Sequence, residues 1–142
     1  LNQLFISYDI DWFEPVRKMT MSWDQIRTLT QEPLCTIGGH TISHPAFSQI
    51  TLDEIKQEIE GGIQKIEIET KCKIEHFAYP YGSISEDSQR EFDYLHQFGF
   101  KTVFVSYGGM VMKNNIDTMT HLPRFMLQRC IFFFNPFIFH KR

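Results

Sequence analysis

Short apolar runs alternate with helical segments along this chain, and this alternation constrains the fold more than any other sequence feature. Four runs predict strands, at residues 4–8, 34–37, 74–78 and 101–105. Helices are expected to begin after Ser22 and Thr51, and a third helix is expected at residues 85–98, with Gly99 as its stop. Such an alternation predicts a mostly parallel α/β architecture.

Two of these helices carry start signals. Ser22 with Gln25, and Thr51 with Glu54, each form the pattern of a capping box. After Thr51, isoleucines and a leucine repeat at helical spacing, at Leu52, Ile55, Ile59, Ile63 and Ile66. The charged residues between them are interpreted as a solvated face. Between the first run and Ser22, a polar loop is expected through Lys18.

The composition limits the classes of protein to consider. A chain of 142 residues with 42% hydrophobic content is expected to bury a core as one domain, residues 1–142. Its net charge of −3 offers no basic surface for a nucleic acid. Cys35, Cys72 and Cys130 are widely spaced and odd in number, so neither a disulfide framework nor a cysteine–zinc site is indicated.

The apolar tail at residues 131–139 is too short for a transmembrane helix, which needs about 20 residues. It is interpreted as a buried strand or helix, and alternatively as a sticky end that promotes aggregation.

The segment GGHTISHP carries a pair of metal-ligand candidates. His40 and His44 are four residues apart, so on a helical turn both imidazoles lie on one face and can bind one divalent cation. Gly38 and Gly39 permit a sharp turn that delivers His40 to the carboxyl end of the preceding strand. The alternative is that the two histidines are ordinary surface or capping residues.

Five segments, in this order, resemble the polysaccharide deacetylase family, the NodB-homology domain of carbohydrate esterase family four. They are MTMSWDQIRTL, CTIGGHTISHP, TLDEIKQEIEGGIQKIE, FAYPYG and HLPRFML, which together span residues 19–127. The resemblance implies a distorted, partial (β/α) barrel. It also implies metal-dependent hydrolysis of N-acetyl groups from an amino-sugar polymer by a metal-activated water.

One family motif has no counterpart in this sequence. Family members carry a TFDDG-like motif on the first barrel strand, which supplies the general base and the third metal ligand. Here the opening segment resembles the family's second strand, and Asp9 and Asp11 after it are interpreted as loop residues. The resemblance therefore predicts a partial barrel without its first strand, in a chain truncated at its N-terminus. The alternatives are a catalytically inactive carbohydrate-binding relative and a truncated fragment without function.

The resemblance also assigns roles to individual residues. His40 and His44 match the family's two histidine ligands, for zinc or alternatively cobalt or nickel. The backbone N–H of Tyr81 matches the donor to the oxyanion, although a Pro-Tyr-Gly sequence also serves simply to turn the chain. Tyr79 and Pro80 beside it are expected to contact the substrate.

Two further assignments lie near the last segment. The family pattern has an arginine where this chain has Ala78, and Arg124 is the candidate to replace it and orient the catalytic carboxylate, unless it is only a surface arginine. His121 is the candidate general acid, with an exposed loop histidine as the alternative. Trp12 and Trp23 are candidates to stack on sugar rings, with a core position as the alternative for Trp23.

The implied partner is an N-acetylated polysaccharide or oligosaccharide, with no nucleic acid and no transmembrane segment. The family favours an extracellular or cell-envelope location. A missing first strand would leave an open sheet edge, so self-association is also expected.

Overall fold

The computed structural model describes residues 5, 7, 8, 11, 13–81 and 89–124. They belong to two compact units, Leu1–Thr36 and Ile37–Arg142. The first unit contains helices α1 (Phe13–Met19) and α2 (Trp23–Leu29). In the second unit, a 3₁₀ turn is followed by alternating helices and strands, in the order Phe47–Gln49, α3 (Leu52–Thr70), β1 (His76–Ala78), α4 (Gln89–Phe98), β2 (Thr102–Phe104) and α5 (Lys113–Thr118). The α/β class is as predicted.

The start of the first unit differs from the prediction. Residues 5 and 7 are helical, so the strand predicted at residues 4–8 is wrong. The expected polar loop is likewise wrong, since it contains α1. Short apolar runs do not distinguish strand from helix by periodicity. Asp11 starts α1 by accepting hydrogen bonds from the backbone N–H groups of Phe13 and Glu14, as an N-cap does.

The start of α2 agrees with its sequence signal. Ser22 and Gln25 form the predicted capping box. The strand predicted at residues 34–37 is wrong, because none of these residues is in a strand and the side chain of Leu34 is fully exposed. The parallel pairing begins instead at Gly39, which bridges to Phe77.

Helix α3 is the longest helix in the described part of the chain. Thr51 and Glu54 form the predicted capping box, and the helix ends where Lys71 adopts a left-handed conformation. The predicted apolar stripe is buried at Ile55, Ile59 and Ile63. Burial of this stripe is what holds α3 against the sheet.

The sheet is parallel throughout its described part. Strands β1 and β2 pair in register, with Phe77 opposite Val103. Single bridges extend the pairing on both sides, from Gly39 to Phe77 and from Phe104 to Leu122. The carboxyl ends of these four segments therefore meet at one edge, which we call the carboxyl edge: residues 40, 79, 105 and 123 follow the pairing there.

The two faces of the sheet have different neighbours. Phe77, Tyr79, Val103 and Val105 belong to the core cluster that includes the isoleucines of α3 and Leu95 of α4. Since side chains alternate along a strand, Ala78, Phe104 and Leu122 point to the opposite face. His40 directly follows the bridged residue Gly39, and Arg124 lies two residues after the bridged residue Leu122, so the sheet fixes the position of their backbones.

The remaining predictions have mixed outcomes. Strands β1 and β2 are shorter than predicted, and α4 ends at Phe98, directly before Gly99, whose φ of 86° favours glycine. Helix α5 was not predicted. Cys35 and Cys72 are free thiols. No helix in the described part of the chain is long and apolar enough to cross a membrane. The apolar tail at residues 131–139 and Cys130 lie outside the described residues, and self-association stays a prediction.

Candidate metal centre

His40 stands at the carboxyl edge because of the ladder beside it. Gly39 donates its N–H to the carbonyl of His76 at 2.8 Å, and its own carbonyl accepts from Ala78 at 2.9 Å. A Cβ at position 39 would approach Phe77 Cδ2 to 3.0 Å, so glycine permits this close pairing. The imidazole of His40 then follows directly after the last ladder bond.

One ring nitrogen of His40 already has a partner. Its Nδ1 lies 2.7 Å from the carbonyl oxygen of Ala78. A carbonyl can only accept, so Nδ1 carries the hydrogen, and in the neutral ring Nε2 keeps its lone pair. Histidine ligands in metal sites characteristically have their second nitrogen bonded in this way.

His44 lies beside His40. Their ring centroids are 4.8 Å apart, with 71° between the ring planes. Two imidazoles bound to one tetrahedral zinc ion, with Zn–N bonds of about 2.0–2.1 Å, place their centroids about 5 Å apart. The spacing and the donor chemistry of this pair therefore fit one divalent cation.

Burial prepares His40 for this role. It lowers the pKa of His40 below its ordinary value, and the neighbouring His44 and Arg124 lower it further, while the bond to Ala78 acts in the opposite direction. A lowered pKa keeps the imidazole neutral near pH 7, and only the neutral form binds a metal.

The two histidines are not on a helical turn, so that part of the sequence prediction is wrong. The segment between them is irregular, and both Thr41 and His44 adopt positive φ angles, of 67° and 58°. The hydroxyl of Thr41 accepts a hydrogen bond from the His44 N–H at 3.1 Å. Local chain reversal, and not helical periodicity, brings the two rings together.

Glu58 of α3 holds this segment, which we call the histidine loop (residues 40–44). Its carboxylate accepts three hydrogen bonds, from the N–H groups of Ile42 and Ser43 and from the Ser43 hydroxyl. The interpretation of the α3 charges as a merely solvated face is therefore wrong for Glu58. The sequence signal that pointed to it was Gly61-Gly62, since two glycines inside a long helix mark a close approach by another segment.

Tyr81 lies next to the histidine pair. Its ring centroid is 4.7 Å from that of His44, its side chain is 53% exposed, and its φ is 54°. Tyr79 and Pro80 before it are buried. A direct substrate contact by either of their side chains would require it to become exposed.

Arg124 reaches the same segment from the last described residues. Its Nη2 donates to the carbonyl of Tyr79 at 2.6 Å, and its charge is among the influences that lower the pKa of His40. Arg124 therefore contacts the residue directly after Ala78, the position at which the family pattern has its arginine. Its orienting role stays a prediction.

His121 lies elsewhere. Its ring packs against that of Phe92 of α4, with a centroid distance of 3.6 Å and 35° between the ring planes, and its Nδ1 is 3.0 Å from the hydroxyl of Thr120. Burial lowers the pKa of His121 below its ordinary value. The contact with Phe92 places His121 against α4, and the described contacts do not bring it to the histidine pair.

No third ligand joins the pair among the described residues. No group of three or more histidine, cysteine, aspartate or glutamate side chains converges in that part of the chain. Asp11 precedes α1 and caps it, and its carboxylate lies 2.6 Å from Arg17 Nη2. Asp9 and Trp12 lie outside the described residues, and Trp23 is half-buried at the start of α2.

Comparison with known proteins agrees with this architecture. The model of the family described as polysaccharide deacetylase matches residues 10–114. That range includes the histidine loop, Glu58 and Tyr81, and it ends before His121 and Arg124. No curated protein matches the chain significantly.

A solved structure has a similar fold. It is the deacetylase PplD of Streptococcus pyogenes in complex with acetate, with a TM-score of 0.63 and 15% sequence identity. The similarity covers 74% of this chain and 45% of that protein, so this chain spans less than half of its length.

Proposed function

Because the chain belongs to the polysaccharide deacetylase family, we propose that it provides the histidine side of a metal-dependent deacetylase site that hydrolyses N-acetyl groups of an amino-sugar polymer. The observation that supports this most is the paired imidazoles at the carboxyl edge, with the Nδ1 of His40 bonded to Ala78 at 2.7 Å. An envelope or extracellular polymer would place the protein outside the cytoplasm.

His40 and His44 would hold one divalent cation, for which zinc is the first choice and cobalt or nickel are alternatives. The chemistry that such a cation would supply is polarisation of the acetyl carbonyl and activation of a water. The neutral state of His40 and the 4.8 Å spacing of the rings favour this assignment.

The chain's own backbone would stabilise the charge that develops on the substrate. As water adds to the carbonyl, the carbonyl oxygen becomes negative and needs a fixed hydrogen-bond donor. In this proposal the donor is the N–H of Tyr81, whose ring contact with His44 keeps it beside the pair. The C–N bond then breaks as the nitrogen accepts the proton that a general base removed from the water, and the products are acetate and the amine.

Removal of a proton from the attacking water needs a general base, which the family resemblance assigns to a carboxylate. The described carboxylates do not join the histidine pair, and the TFDDG-like motif does not occur in the 142 residues. In this proposal the base would be the first aspartate of a TFDDG-like motif, and the fusion described below tests this assignment. Arg124, which already contacts Tyr79, would orient this carboxylate by a bidentate contact.

Zinc titration by calorimetry tests the metal site. The polypeptide is expected to bind one zinc ion weakly, because a two-histidine site lacks the carboxylate ligand, and the His40→Ala, His44→Ala double variant is expected to lose this binding. A matched variant, His96→Ala, removes an exposed histidine of α4 and should bind as the unmodified chain does. Equal affinity in the double variant and the unmodified chain would show that the ligands are wrongly assigned.

Acetate release from a chitooligosaccharide tests the reaction. The 142-residue polypeptide is expected to release little acetate even with zinc, and fusion of a segment bearing the TFDDG-like motif is expected to restore release. The His40→Ala, His44→Ala change in the fusion should abolish it. Oligosaccharide binding without acetate release by the fusion would favour the inactive, carbohydrate-binding alternative.

A further inference from the structure

We propose that Glu58 is a positioning residue for the metal site, which fixes the histidine loop and thereby the place of His44. This inference rests on the proposed function insofar as the loop serves a metal. Glu58 belongs to α3 and lies 16 positions after Ile42 and 15 after Ser43 in sequence. It accepts hydrogen bonds from these two residues, which lie between the histidines, and its described contacts do not include either imidazole ring.

Both carboxylate oxygens of Glu58 accept short hydrogen bonds. Its Oε2 accepts from the N–H groups of Ile42 and Ser43, both at 2.8 Å, and its Oε1 accepts from the Ser43 hydroxyl at 2.7 Å. Hydrogen bonds to an ionised carboxylate are about twice as strong as neutral ones. Both oxygens thus hold the two residues that immediately precede His44.

The carboxylate remains ionised at neutral pH. Burial alone would raise the pKa of Glu58, but the hydrogen bonds from Ser43 and Ile42 outweigh it and hold that pKa below its ordinary value. The loop is thus held by a charged acceptor.

Helix α3 gives Glu58 a firm base. Ile55 and Ile59, on either side of it in sequence, are completely buried in the core. Gly62, one turn further on, brings the helix so close that a Cβ there would lie 3.1 Å from the backbone carbon of Thr41. The loop therefore rests on a part of α3 that the core holds in place.

The loop needs such support because of its backbone. Thr41 and His44 both have positive φ, which is unfavourable for residues with a side chain, and most of all for a β-branched one. Conformations of this kind persist only when surrounding contacts enforce them. The three bonds to Glu58 lie between these two residues and are the described hydrogen bonds that hold Ile42 and Ser43 from outside the loop.

Zinc calorimetry on three variants tests the proposal. Glu58→Ala is expected to lower zinc affinity by roughly 10–100-fold, the usual loss when a residue that supports a metal ligand is removed. Glu58→Gln, which keeps an acceptor but not the charge, should fall between Glu58→Ala and the unmodified chain. Glu60→Gln removes the same charge two residues away, where the partner is Tyr94, and should leave zinc affinity unchanged.

Amide hydrogen exchange in the metal-free polypeptide provides a readout without zinc. The N–H groups of Ile42 and Ser43 should exchange faster in Glu58→Ala, whereas those of Ile59 and Ile63 in α3 should not change. If Glu58→Ala fails to fold, the same two measurements on Glu58→Gln, against Glu60→Gln, decide the matter.

The outcomes separate this proposal from the proposed function. If the unmodified chain binds no zinc, the proposed function fails, and the exchange rates alone judge whether Glu58 holds the loop. Unchanged exchange at Ile42 and Ser43 overturns the proposal. It is also overturned if zinc affinity is unchanged in Glu58→Ala, or if it falls equally in Glu60→Gln.

Discussion

His40 shows at the scale of one residue how much of a ligand's chemistry comes from its surroundings. The sequence places an imidazole after two glycines, but the partner of Nδ1 is the carbonyl of Ala78, 38 residues further on. That bond selects the ring nitrogen left for a cation, and burial keeps the ring neutral. A histidine without this carbonyl would be free to present either nitrogen.

His121 leads to a prediction about pH and stability. Burial lowers its pKa in the folded state, whereas in the unfolded chain it should be close to 6.5. Below about pH 6.5 the unfolded state therefore binds more protons than the folded state. His121 contributes stability above its unfolded pKa, and this contribution is lost as the pH falls through its lower folded pKa. His40 acts in the same direction.

Urea unfolding at pH 5.0 and 7.5, taken as roughly the limits of the histidine range, measures this effect. The free energy of unfolding should be greater at the higher pH, and His121→Leu should make the difference smaller. His96→Leu controls for the loss of a histidine from the surface. An equal difference in His121→Leu and the unmodified chain would contradict the prediction.

At the scale of an element, helix α3 contributes to the hydrophobic core and also supports the histidine loop. Its isoleucines are buried against the sheet, and Glu58, Gly61 and Gly62 meet the histidine loop. Glycine within a helix costs about 0.8–1.0 kcal/mol relative to alanine. Two adjacent glycines therefore lower the stability of α3, and the close approach of the histidine loop explains why they are present.

The two glycines are expected to respond differently to alanine. At position 61 the new Cβ would lie 2.8 Å from Ile42 Cδ1, the end of a flexible side chain that can move. At position 62 it would lie 3.1 Å and 3.2 Å from the backbone carbon and oxygen of Thr41, which cannot move without shifting the loop.

Gly61→Ala should thus keep zinc affinity and raise the free energy of unfolding by up to about 1 kcal/mol. Gly62→Ala should gain less stability and bind zinc several-fold more weakly. Urea unfolding and zinc calorimetry on the two variants measure both effects. Undiminished zinc affinity in Gly62→Ala would show that the loop does not depend on this close contact.

The whole molecule is expected to be unevenly stable. Neither α1 nor α2 contains a buried residue, whereas α3 buries Ile55, Ile59 and Ile63. Because slow hydrogen exchange requires buried, cooperatively held structure, amides of α1 and α2 should exchange fastest and those of α3 and β2 slowest. Exchange followed by mass spectrometry with peptide resolution measures this order, and slow exchange in α1 would contradict it.

The sequence by itself determined the features that depend on neighbouring residues. The capping boxes at Ser22 and Thr51, the isoleucine stripe and the stop at Gly99 all follow from interactions within a few residues. Short apolar runs carry less information, which explains why the predictions of β1 and β2 are confirmed whereas the strands predicted at residues 4–8 and 34–37 are wrong. The two histidines could be identified as ligand candidates because the residue types and their spacing can be read directly from the sequence.

Only the tertiary structure decided how those histidines are held. Glu58 reaches Ile42 across 16 positions, Ala78 reaches His40 across 38, and Arg124 reaches the Tyr79 carbonyl across 45. No periodicity encodes such pairs, because they exist only once α3 is packed on the sheet and the parallel strands have brought their carboxyl ends together. The sequence thus determined which groups could bind a cation, and packing between distant segments determined their geometry.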